Sequence, residues 1–531
     1  MNNRVTWVAV WLWAGMGWGG FAAWAAEHLY DDFNAYPTGS IAAQPGWVRY
    51  PAVVSTTGRV SDALSLVSSN ALELTYHVNG CSAAFTNFNA VYASTNHPVI
   101  RLSADLYLSN TNVPFQLGLR NSHNGAFLTF QNLGGWGVCG FNYRDNVFVP
   151  LKQSMVMNVT LFYNMNTREF ALDYGHSNVL NWVDSQYEAN SMVIQTQFNQ
   201  FVATRFSNTA DHAAATVIID NVTVETFPRH VLAWWRFNDT GGAFVEQLGQ
   251  VQPTLREGNS DVVRGPAADV VFDGERYFHN STALRRIIAG PAAMRKNSPV
   301  FTNWTVEAVF RTAPEDSNLQ FIDWGTSRGF DTSGCWLGFS YRPALGNFRF
   351  SLRDADGGTN TEYINTTIGQ LTPDTRWHTI AFVKSNSLLT LYVDYQFAES
   401  INLPASADGA FQFTTASHVK IGETLSSGNT MDSNSVLDEL RFSTEALHYP
   451  TMLQPGQPLI LELDGSPDLP PWRFITKGVL GWTCVLERAD GLLQNPVWTP
   501  LSNFPVTTTF SAVTIPTNQP VSAPVFRIRR Q

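Results

Sequence analysis

The stretch RWHTIAFVKSNSLLTLYVD, Arg376–Asp394, decides the fold that the sequence predicts. Its first half, Trp377–Lys384, is rich in β-branched, aromatic and aliphatic residues, which favour a strand. The Ser-Asn-Ser run that follows is typical of a tight turn, because short polar side chains bond nearby backbone groups. In the second half, Leu389, Leu391 and Val393 share one face of a strand. Since the opposite face is also largely apolar, the hairpin is predicted to lie inside a two-layer β-sandwich.

This hairpin also resembles a known family. WHTIAFVKSNSLLTLYVD is similar to the central hairpin of laminin-G-like, concanavalin-type jelly-roll modules, in which Trp-His opens one strand and Tyr-Val-Asp closes the next. The family usually has Gly after Tyr-Val-Asp, whereas this chain has Tyr395. Because of this difference, the sequence alone does not decide whether a tight turn forms there. Between Val231 and Leu447, further segments follow the order of the family: AWWRFNDTGG, VVFDGERYF, FTNWTVEAVFRT, IDWG, VKIGE and VLDELRFSTEAL.

Segments on either side of this region resemble modules of exported bacterial proteins. LYDDFNAYPTG, which begins at Leu29, resembles the opening of another concanavalin-like module, and ATVIIDNVTVETF closes that region at Phe227. Because IDNVTVE and LDELRFS occupy equivalent closing positions, the two regions are interpreted as distant copies. Near the C-terminus, TCVLERADGL, NPVWTPL and PVFRIRRQ resemble a small β-module of exported proteins from polysaccharide-degrading bacteria.

The resemblances and the evenly spaced short strands imply an all-β fold class. We predict two concanavalin-like jelly-roll β-sandwiches in tandem, followed by a small C-terminal β-sandwich. The predicted boundaries are residues 27–227, 231–447 and 459–531. Phe227–His230 and Tyr449–Pro458 are predicted links, where limited proteolysis is expected to cut first.

Residues 1–26 are expected to be a secretory signal peptide. Arg4 precedes an apolar run, and Ala-Trp-Ala at 23–25 fits a cleavage site with small residues. The run is long enough to span a bilayer, so a membrane anchor is the alternative. We expect a protein that is secreted, extracellular or at the cell surface, with the periplasm as the alternative compartment. No membrane span is expected after signal cleavage.

The charge balance and the cysteines limit the function classes. The 531 residues include 33 Lys and Arg against 43 Asp and Glu, a net charge of −10. Because nucleic-acid binding requires clustered Lys and Arg, no nucleic-acid partner is expected. Four cysteines are too few to hold this fold together by disulfides. Cys81 and Cys139 share a predicted domain and are a candidate pair, whereas Cys335 and Cys484 are predicted to be buried small hydrophobes.

The sequence gives no positive evidence for catalysis. A retaining glycosidase needs two carboxylates about 5 to 5.5 Å apart, and the Glu-x-Asp-x-x-Glu pattern is absent from the predicted strands. A Gly-x-Ser-x-Gly nucleophile elbow is absent too. A glycoside hydrolase or lyase whose site is not visible in the sequence remains an alternative reading.

The family resemblance implies one structural calcium ion, which takes six to eight oxygen ligands. An Asp in the Phe-Asp-Gly turn and an Asp that opens the last strand lie close together in the family, and these positions match Asp273 and Asp438. The family often adds an acid after the first strand, where this chain offers only Glu246. Asp32 and Asp220 hold analogous places in the first sandwich. The alternative is that these acids make turns and backbone bonds.

Three tryptophans between predicted strands are candidate ligand-binding residues: Trp136, Trp182 and Trp336. Sugar rings stack on exposed aromatic faces, although most aromatic side chains of a sandwich belong to its core. The leading hypothesis is therefore a secreted, non-catalytic protein that binds carbohydrate, either a polysaccharide or a cell-surface glycan. An adhesion or structural protein with a protein partner is the alternative, because the same fold serves both.

Overall fold

The computed structural model describes most of the two predicted sandwiches and the strands of the C-terminal unit. The described residues are 26–48, 56–62, 70–77, 80–86, 91–92, 97–120, 127–132, 138–139, 147–175, 177–184, 197–206, 215–237, 243–244, 246–255, 262–264, 278–280, 289–312, 314–316, 318–325, 334–355, 364–373, 377–394, 396–405, 407–422, 435–447, 452–453, 460–464, 472–477, 483–489, 499–505, 510–515 and 525–530. The predicted signal peptide lies outside them up to residue 25.

The first β-sandwich has the following strands: β1 (Ala26–Asp31), β2 (Gly39–Ser40), β3 (Trp47–Val48), β4 (Thr56–Thr57), β5 (Arg59–Ser61), β6 (Ala71–Leu74), β7 (Cys81–Phe85), β8 (Val91–Tyr92), β9 (Val99–Leu108), β10 (Phe115–Arg120), β11 (Phe127–Asn132), β12 (Val138–Cys139), β13 (Val147–Phe148), β14 (Val156–Asn164), β15 (Glu169–Tyr174), β16 (Ser177–Asp184), β17 (Gln197–Phe198), β18 (Gln200–Arg205) and β19 (Val217–Phe227). One sheet has the order β16-β15-β14-β9-β19-β6-β5-β2, with β1 also paired to β19. The facing sheet has the order β13-β12-β11-β10-β18-β7-β3.

The second β-sandwich has the following strands: β20 (Val231–Trp235), β21 (Ala243–Phe244), β22 (Thr254–Leu255), β23 (Val262–Arg264), β24 (Phe278–Asn280), β25 (Ala289–Ala293), β26 (Trp304–Arg311), β27 (Leu319–Gly325), β28 (Trp336–Arg342), β29 (Asn347–Arg353), β30 (Ile364–Gln370), β31 (Trp377–Ser385), β32 (Leu388–Val393), β33 (Gln396–Asn402), β34 (His418–Ile421) and β35 (Val436–Ser443). Its sheets have the orders β23-β24-β35-β26-β31-β32-β33, with β20 also paired to β35, and β25-β34-β27-β28-β29-β30.

The C-terminal unit has two three-stranded sheets, with the orders β36-β37-β40 and β39-β38-β41. Its strands are β36 (Ile460–Asp464), β37 (Trp472–Lys477), β38 (Thr483–Ala489), β39 (Thr499–Pro505), β40 (Phe510–Ile515) and β41 (Val525–Arg530). The described part of the chain adds two short 3₁₀ turns, Ile41–Ala43 and Pro343–Leu345, and no α-helix. The predicted all-β fold class is therefore confirmed. None of the described elements is a helix long and apolar enough to cross a membrane.

The two sandwiches share one strand connectivity. The order β1 on β19, then β9, β14, β15 and β16, corresponds to β20 on β35, then β26, β31, β32 and β33. In the facing sheets, β18-β10-β11-β12-β13 corresponds to β34-β27-β28-β29-β30. The first strand of each sandwich also has a register shift near its start, between Glu27 and Leu29 and between Val231 and Ala233. This correspondence is what the interpretation as distant copies requires.

The hairpin that was predicted from Arg376–Asp394 forms as β31 and β32. Leu389 and Leu391 are completely buried in the core, whereas Leu388 on the other face is 39% exposed. The turn into β33 is tight, because Val393 pairs directly with Gln396. A left-handed backbone at Asp394, with φ of 48°, closes this turn. The departure at Tyr395, which lies outside the described residues, therefore does not prevent the tight turn.

The sequence predicted that a second sheet covers the other apolar face of the hairpin, and the structure differs. Ala381 and Val383 on that face pack against Leu447 and Met452, in the segment that follows the sandwich. The prediction placed the hairpin between two sheets. Its cover on this side is instead the chain that leads toward the C-terminal unit, which a hydrophobic pattern alone cannot distinguish from a second sheet.

The predicted link at Phe227–His230 is short and packed. Phe227 ends β19, Val231 begins β20, and both are buried in a cluster between the two sandwiches. The backbone amide of Thr444 donates to the His230 carbonyl at 2.7 Å. Proteases cut exposed segments first, and this link joins buried ends to an exposed Arg229, so first cleavage here stays a prediction. Most of the second predicted link, Tyr449–Pro458, lies outside the described residues.

The cysteines agree in part with the sequence analysis. Cys81 is a buried free thiol on β7, and Cys139 is on β12, four strands away in the same sheet. That separation is about 19 Å at the usual strand spacing, too far for a disulfide. Burial raises the pKa of the Cys335 thiol to about 11, and its sulfur accepts the Gln412 amide at 3.0 Å. Cys335 is thus a buried small hydrophobe as predicted, whereas the side chain of Cys484 lies outside the described part.

Candidate ligand-binding face around Trp336

The candidate site is the outer face of β27, β28 and β29, which we call the Trp336 face. Leu337, Phe339 and Tyr341 of β28 are completely buried in the core of the second sandwich. Because side chains alternate along a strand, the residues between them point to the opposite side of the sheet. The outward positions of these strands are Gln320, Asp323, Gly325, Trp336, Gly338, Ser340, Arg342, Asn347, Arg349, Ser351 and Arg353.

Two glycines position the indole of Trp336. Gly325 is directly opposite Trp336 across the β27–β28 pair, and Gly338 is two residues further along β28. A Cβ atom added to Gly325 would lie 3.1 Å from Trp336 Cε3, and one added to Gly338 would lie 3.5 Å from Trp336 Nε1. The indole therefore lies across bare backbone at both ends. Trp336 is half-buried, so it belongs neither to the core nor to an exposed loop.

Polar and charged residues surround the indole through the sheet register. Arg353 is directly opposite Trp336, and Asp323 is directly opposite Gly338. Arg353 Nε donates to the Gly334 carbonyl at 2.8 Å, and its buried Nη2 has no hydrogen-bond partner among the described residues. The neighbouring strand β34 adds two half-buried basic side chains, His418 opposite Gly325 and Lys420 opposite Asp323.

This arrangement suits a flat ligand with polar edges. A sugar ring presents weakly positive C–H groups on its face, which are attracted to the negative face of an aromatic ring. Hydroxyl groups at the ring edge need hydrogen-bond partners, and a guanidinium supplies several donors in a fixed plane. Both features occur on the Trp336 face, where Trp336, Arg342 and Arg349 are half-buried, whereas Gln320, Asp323, Ser340 and Arg353 are buried.

Trp336 is the one predicted tryptophan that the structure places on such a face. Trp136 lies outside the described residues. Trp182, on β16, is only 8% exposed, and its Nε1 donates to the Gly249 carbonyl of the second sandwich at 2.6 Å. Lys296 Nζ lies 5.0 Å from the centre of the Trp182 ring. Trp182 is therefore a contact between the sandwiches, and the prediction of an exposed platform there is wrong.

The acids predicted to bind calcium are only partly described. Asp273 lies outside the described residues, and Asp438 is completely buried at a register shift in β35. Asp220 lies at a similar shift in β19, and its carboxylate accepts the Asn221 amide at 2.8 Å. Asp32 accepts the Asn34 amide at 3.1 Å. Among the described residues, no three His, Cys, Asp or Glu side chains form a group that could hold a metal.

Neighbouring acids have structural roles that the sequence did not reveal. The buried carboxylate of Asp31, next to Asp32, accepts Tyr36 Oη at 2.8 Å and Trp47 Nε1 at 2.9 Å. Glu246 is also buried, and it accepts backbone amides at four positions of its own loop and of β20. Burial raises the pKa of Glu246 to about 7. The described residues therefore bring no third acid to Asp438, and a calcium ion there stays a prediction.

No family model and no curated protein matches this chain. Solved structures that resemble parts of it include the CBM40 module of the Ruminococcus gnavus IT-sialidase bound to alpha2,3 sialyllactose, with 13% identity over 28% of this chain and 78% of that chain and a TM-score of 0.22. The SAP-like pentraxin from Limulus polyphemus is 13% identical over 29% of this chain and 68% of that chain, with a TM-score of 0.22. The binding domain of botulinum neurotoxin serotype D is 10% identical over 52% and 70%, with a TM-score of 0.25. These TM-scores are too low to support a conclusion about the ligand.

Proposed function

We propose that this protein binds carbohydrate and that the Trp336 face is the binding site. The observation that supports the proposal most directly is the indole of Trp336, which lies across Gly325 and Gly338 on the outside of the sheet. A Cβ atom at Gly325 would crowd the ring at 3.1 Å, whereas one at Gly338 would meet it at an ordinary contact distance of 3.5 Å. The sequence thus keeps a flat aromatic surface at this position.

The environment of the indole supports a polar ligand over an apolar one. An apolar partner would favour a contiguous apolar patch, but the outward neighbours of Trp336 are charged, hydroxylated or glycine. A stacking ring with polar residues on the same face suits a ligand that is flat and has hydroxyl groups at its edge. A sugar within a polysaccharide or a glycan meets both requirements.

Affinity electrophoresis of the full chain in native gels that contain single polysaccharides tests the proposal. A gel that contains a bound polysaccharide should retard the wild-type protein. Trp336→Ala should lose most of that retardation, because it removes the stacking surface and leaves the core residues of β28 in place. Retardation of Trp336→Ala equal to wild type would overturn the proposal for this face.

A matched control is available in the same sandwich. Phe397 is 65% exposed on β33, in the opposite sheet. Phe397→Ala removes an exposed aromatic ring that is not on the Trp336 face, and it should be retarded like the wild type. Equal losses for Trp336→Ala and Phe397→Ala would indicate nonspecific adhesion of exposed aromatic rings.

We further infer that this binding takes place outside the cytoplasm. The inference depends on the expected signal peptide, and on its removal at about Ala26. Mass spectrometry of exported protein should show a chain that begins near residue 27. Exported protein with an intact Met1 would contradict the inference.

A further inference from the structure

The charge of the Trp336 face is opposite to that of the whole protein. The chain has a net charge of −10. On the sheet that contains this face, Asp323 is the only acid at the outward positions whose side chains the structure describes. The basic residues at those positions are Arg342, Arg349, Arg353, Lys420 and His418. A local excess of positive charge on an acidic protein favours an anionic ligand.

Two of the arginines are close neighbours. Arg349 on β29 is directly opposite Ser340, and Arg342 is two residues further along β28. The Arg342 Nε donates to Asn347 Oδ1 at 3.0 Å, which holds the guanidinium over the sheet. Burial and the nearby positive charge of Arg349 lower the pKa of Arg342. A bound anion would relieve the repulsion between the two guanidinium groups and accept hydrogen bonds from both.

The face is long enough for a polymer. Trp336 and Arg342 are at opposite ends of β28, and at the usual rise per residue they are separated by about 20 Å. Arg353, beside Trp336, is only 5% exposed, so the accessible guanidinium groups are those of Arg342 and Arg349 toward the other end. A single sugar cannot reach both ends, but a chain with repeated anionic groups can.

We propose that the Trp336 face binds an acidic polysaccharide, with a sugar ring on Trp336 and carboxylate or sulfate groups on Arg342 and Arg349. This inference rests on the proposed carbohydrate binding and specifies its ligand class. Arginine suits both anions, because its planar guanidinium forms two parallel hydrogen bonds with either group.

Matched pairs of polysaccharides in native gels test the inference. Polygalacturonate carries carboxylates that highly methyl-esterified pectin lacks, and carrageenan carries sulfates that agarose lacks. We expect the dissociation constant to be at least tenfold lower for one charged polymer than for its neutral counterpart. Raising the salt from 50 to 500 mM should weaken this binding, since screening lengths shorten. Which charged polymer binds identifies the anion.

Two double variants distinguish the effect of charge on the Trp336 face from the effect of the net charge of the protein. The double variant Arg342→Gln/Arg349→Gln should weaken binding to the charged polymer at least tenfold. The control Arg59→Gln/Arg229→Gln removes the same charge from side chains that are 54% and 61% exposed and lie off this face. It should bind like the wild type.

The results that would overturn the acidic ligand differ from those that would overturn carbohydrate binding at the Trp336 face. Equal binding of charged and neutral polymers, lost in Trp336→Ala, would overturn the acidic ligand and keep carbohydrate binding. Equal losses in the two double variants would also overturn the acidic ligand. Binding that Trp336→Ala leaves unchanged would overturn carbohydrate binding at this face, and the acidic ligand with it.

Discussion

The two sandwiches share their strand connectivity but use their outer faces differently. In the first sandwich, the outer side of β9, β14 and β15 is covered by the second sandwich, where Phe162 is buried and Asp173 pairs with Arg295. In the second sandwich, the outer side of β27, β28 and β29 has half-buried Trp336 and several basic residues. The connectivity therefore sets where faces occur, and the outward side chains decide what each face binds.

The corresponding sheets show the same contrast. The first sandwich has β10 and β11 where the second has β27 and β28. Gly118 of β10 is directly opposite Thr129 of β11, and in the second sandwich Asp323 of β27 is directly opposite Gly338 of β28. Described outward residues around Gly118 include the buried Ser82, Ala84, Thr129, Val202 and Thr204 together with half-buried Gln116 and Arg120. At these positions the first sandwich thus has no aromatic platform like Trp336.

The largest expected effect is on the contact between the sandwiches. Arg295→Ala removes the completely buried partner of Asp173 and also the hydrogen bond from Arg295 Nη1 to the Leu180 carbonyl at 3.1 Å. A buried carboxylate left without its partner costs about 3 to 5 kcal/mol. Chemical unfolding of the full chain should show this loss.

Lys296→Ala is the matched control for Arg295→Ala. Lys296 bonds Glu169 at 2.7 Å across the same contact, but the two side chains are 29% and 28% exposed. Such pairs contribute about 1 kcal/mol or less. If both variants lose the same free energy of unfolding, the Arg295–Asp173 pair contributes no more than a solvent-exposed ion pair.

The next largest expected effect is on the pH dependence of stability, which comes from Glu225 at the contact between the sandwiches. Burial alone would raise the pKa of Glu225, but the guanidinium groups of Arg236 and Arg101 outweigh burial and hold the pKa at about 2. Because this is below the ordinary value of 4.5, the stabilisation is present above pH 4.5 and is lost as the pH falls toward 2. The loss should be about 3 kcal/mol.

Unfolding curves at several pH values measure this loss. Glu225→Gln should be less stable at pH 7, since it leaves Arg101 and Arg236 without a carboxylate, and its stability should change less between pH 4.5 and 2. A variant that keeps the full wild-type pH dependence would assign the acid sensitivity to other carboxylates.

Many of the strands and some of the buried faces could be predicted from the sequence, because local patterns of apolar residues determine them. The alternation along β32 predicted that Leu389 and Leu391 share a face, which is buried, but the apolar character of the other face did not predict that Leu388 is 39% exposed. The position of Trp336 between predicted strands made it a candidate, although its exposure was not decided. The burial of Trp182 was inaccessible, because Gly249 and Lys296, which cover it, are far away in sequence.

A smaller effect concerns the glycines under the indole. Gly338→Val should weaken polysaccharide binding about tenfold, equivalent to about 1.4 kcal/mol. The new side chain would occupy space beside Trp336 Nε1 and Asp323 Oδ1, where a Cβ atom alone would already lie 3.5 and 3.3 Å away. Gly338→Ala should have a milder effect in the same binding assay. Unchanged binding in Gly338→Val would show that the flat placement of the ring is unnecessary.

The smallest expected effect is the calcium dependence of stability. Extracellular modules bind calcium with dissociation constants of about 0.1 to 1 mM, so 1 mM calcium should stabilise the folded chain by about 0.4 to 1.4 kcal/mol. Asp438→Asn should remove this gain if Asp273 and Asp438 hold the ion. Identical melting temperatures in calcium and in chelator would leave both acids with turn and backbone roles.

The most direct test of the contrast between the sandwiches is hydrogen–deuterium exchange of the full chain, with and without the polysaccharide that retards it most. We predict that this polysaccharide slows exchange in peptides from β27, β28 and β29 and leaves peptides from β10, β11 and β12 unchanged. Trp336→Ala should abolish this protection. Protection of the first sandwich instead, or equal protection of both, would contradict the account.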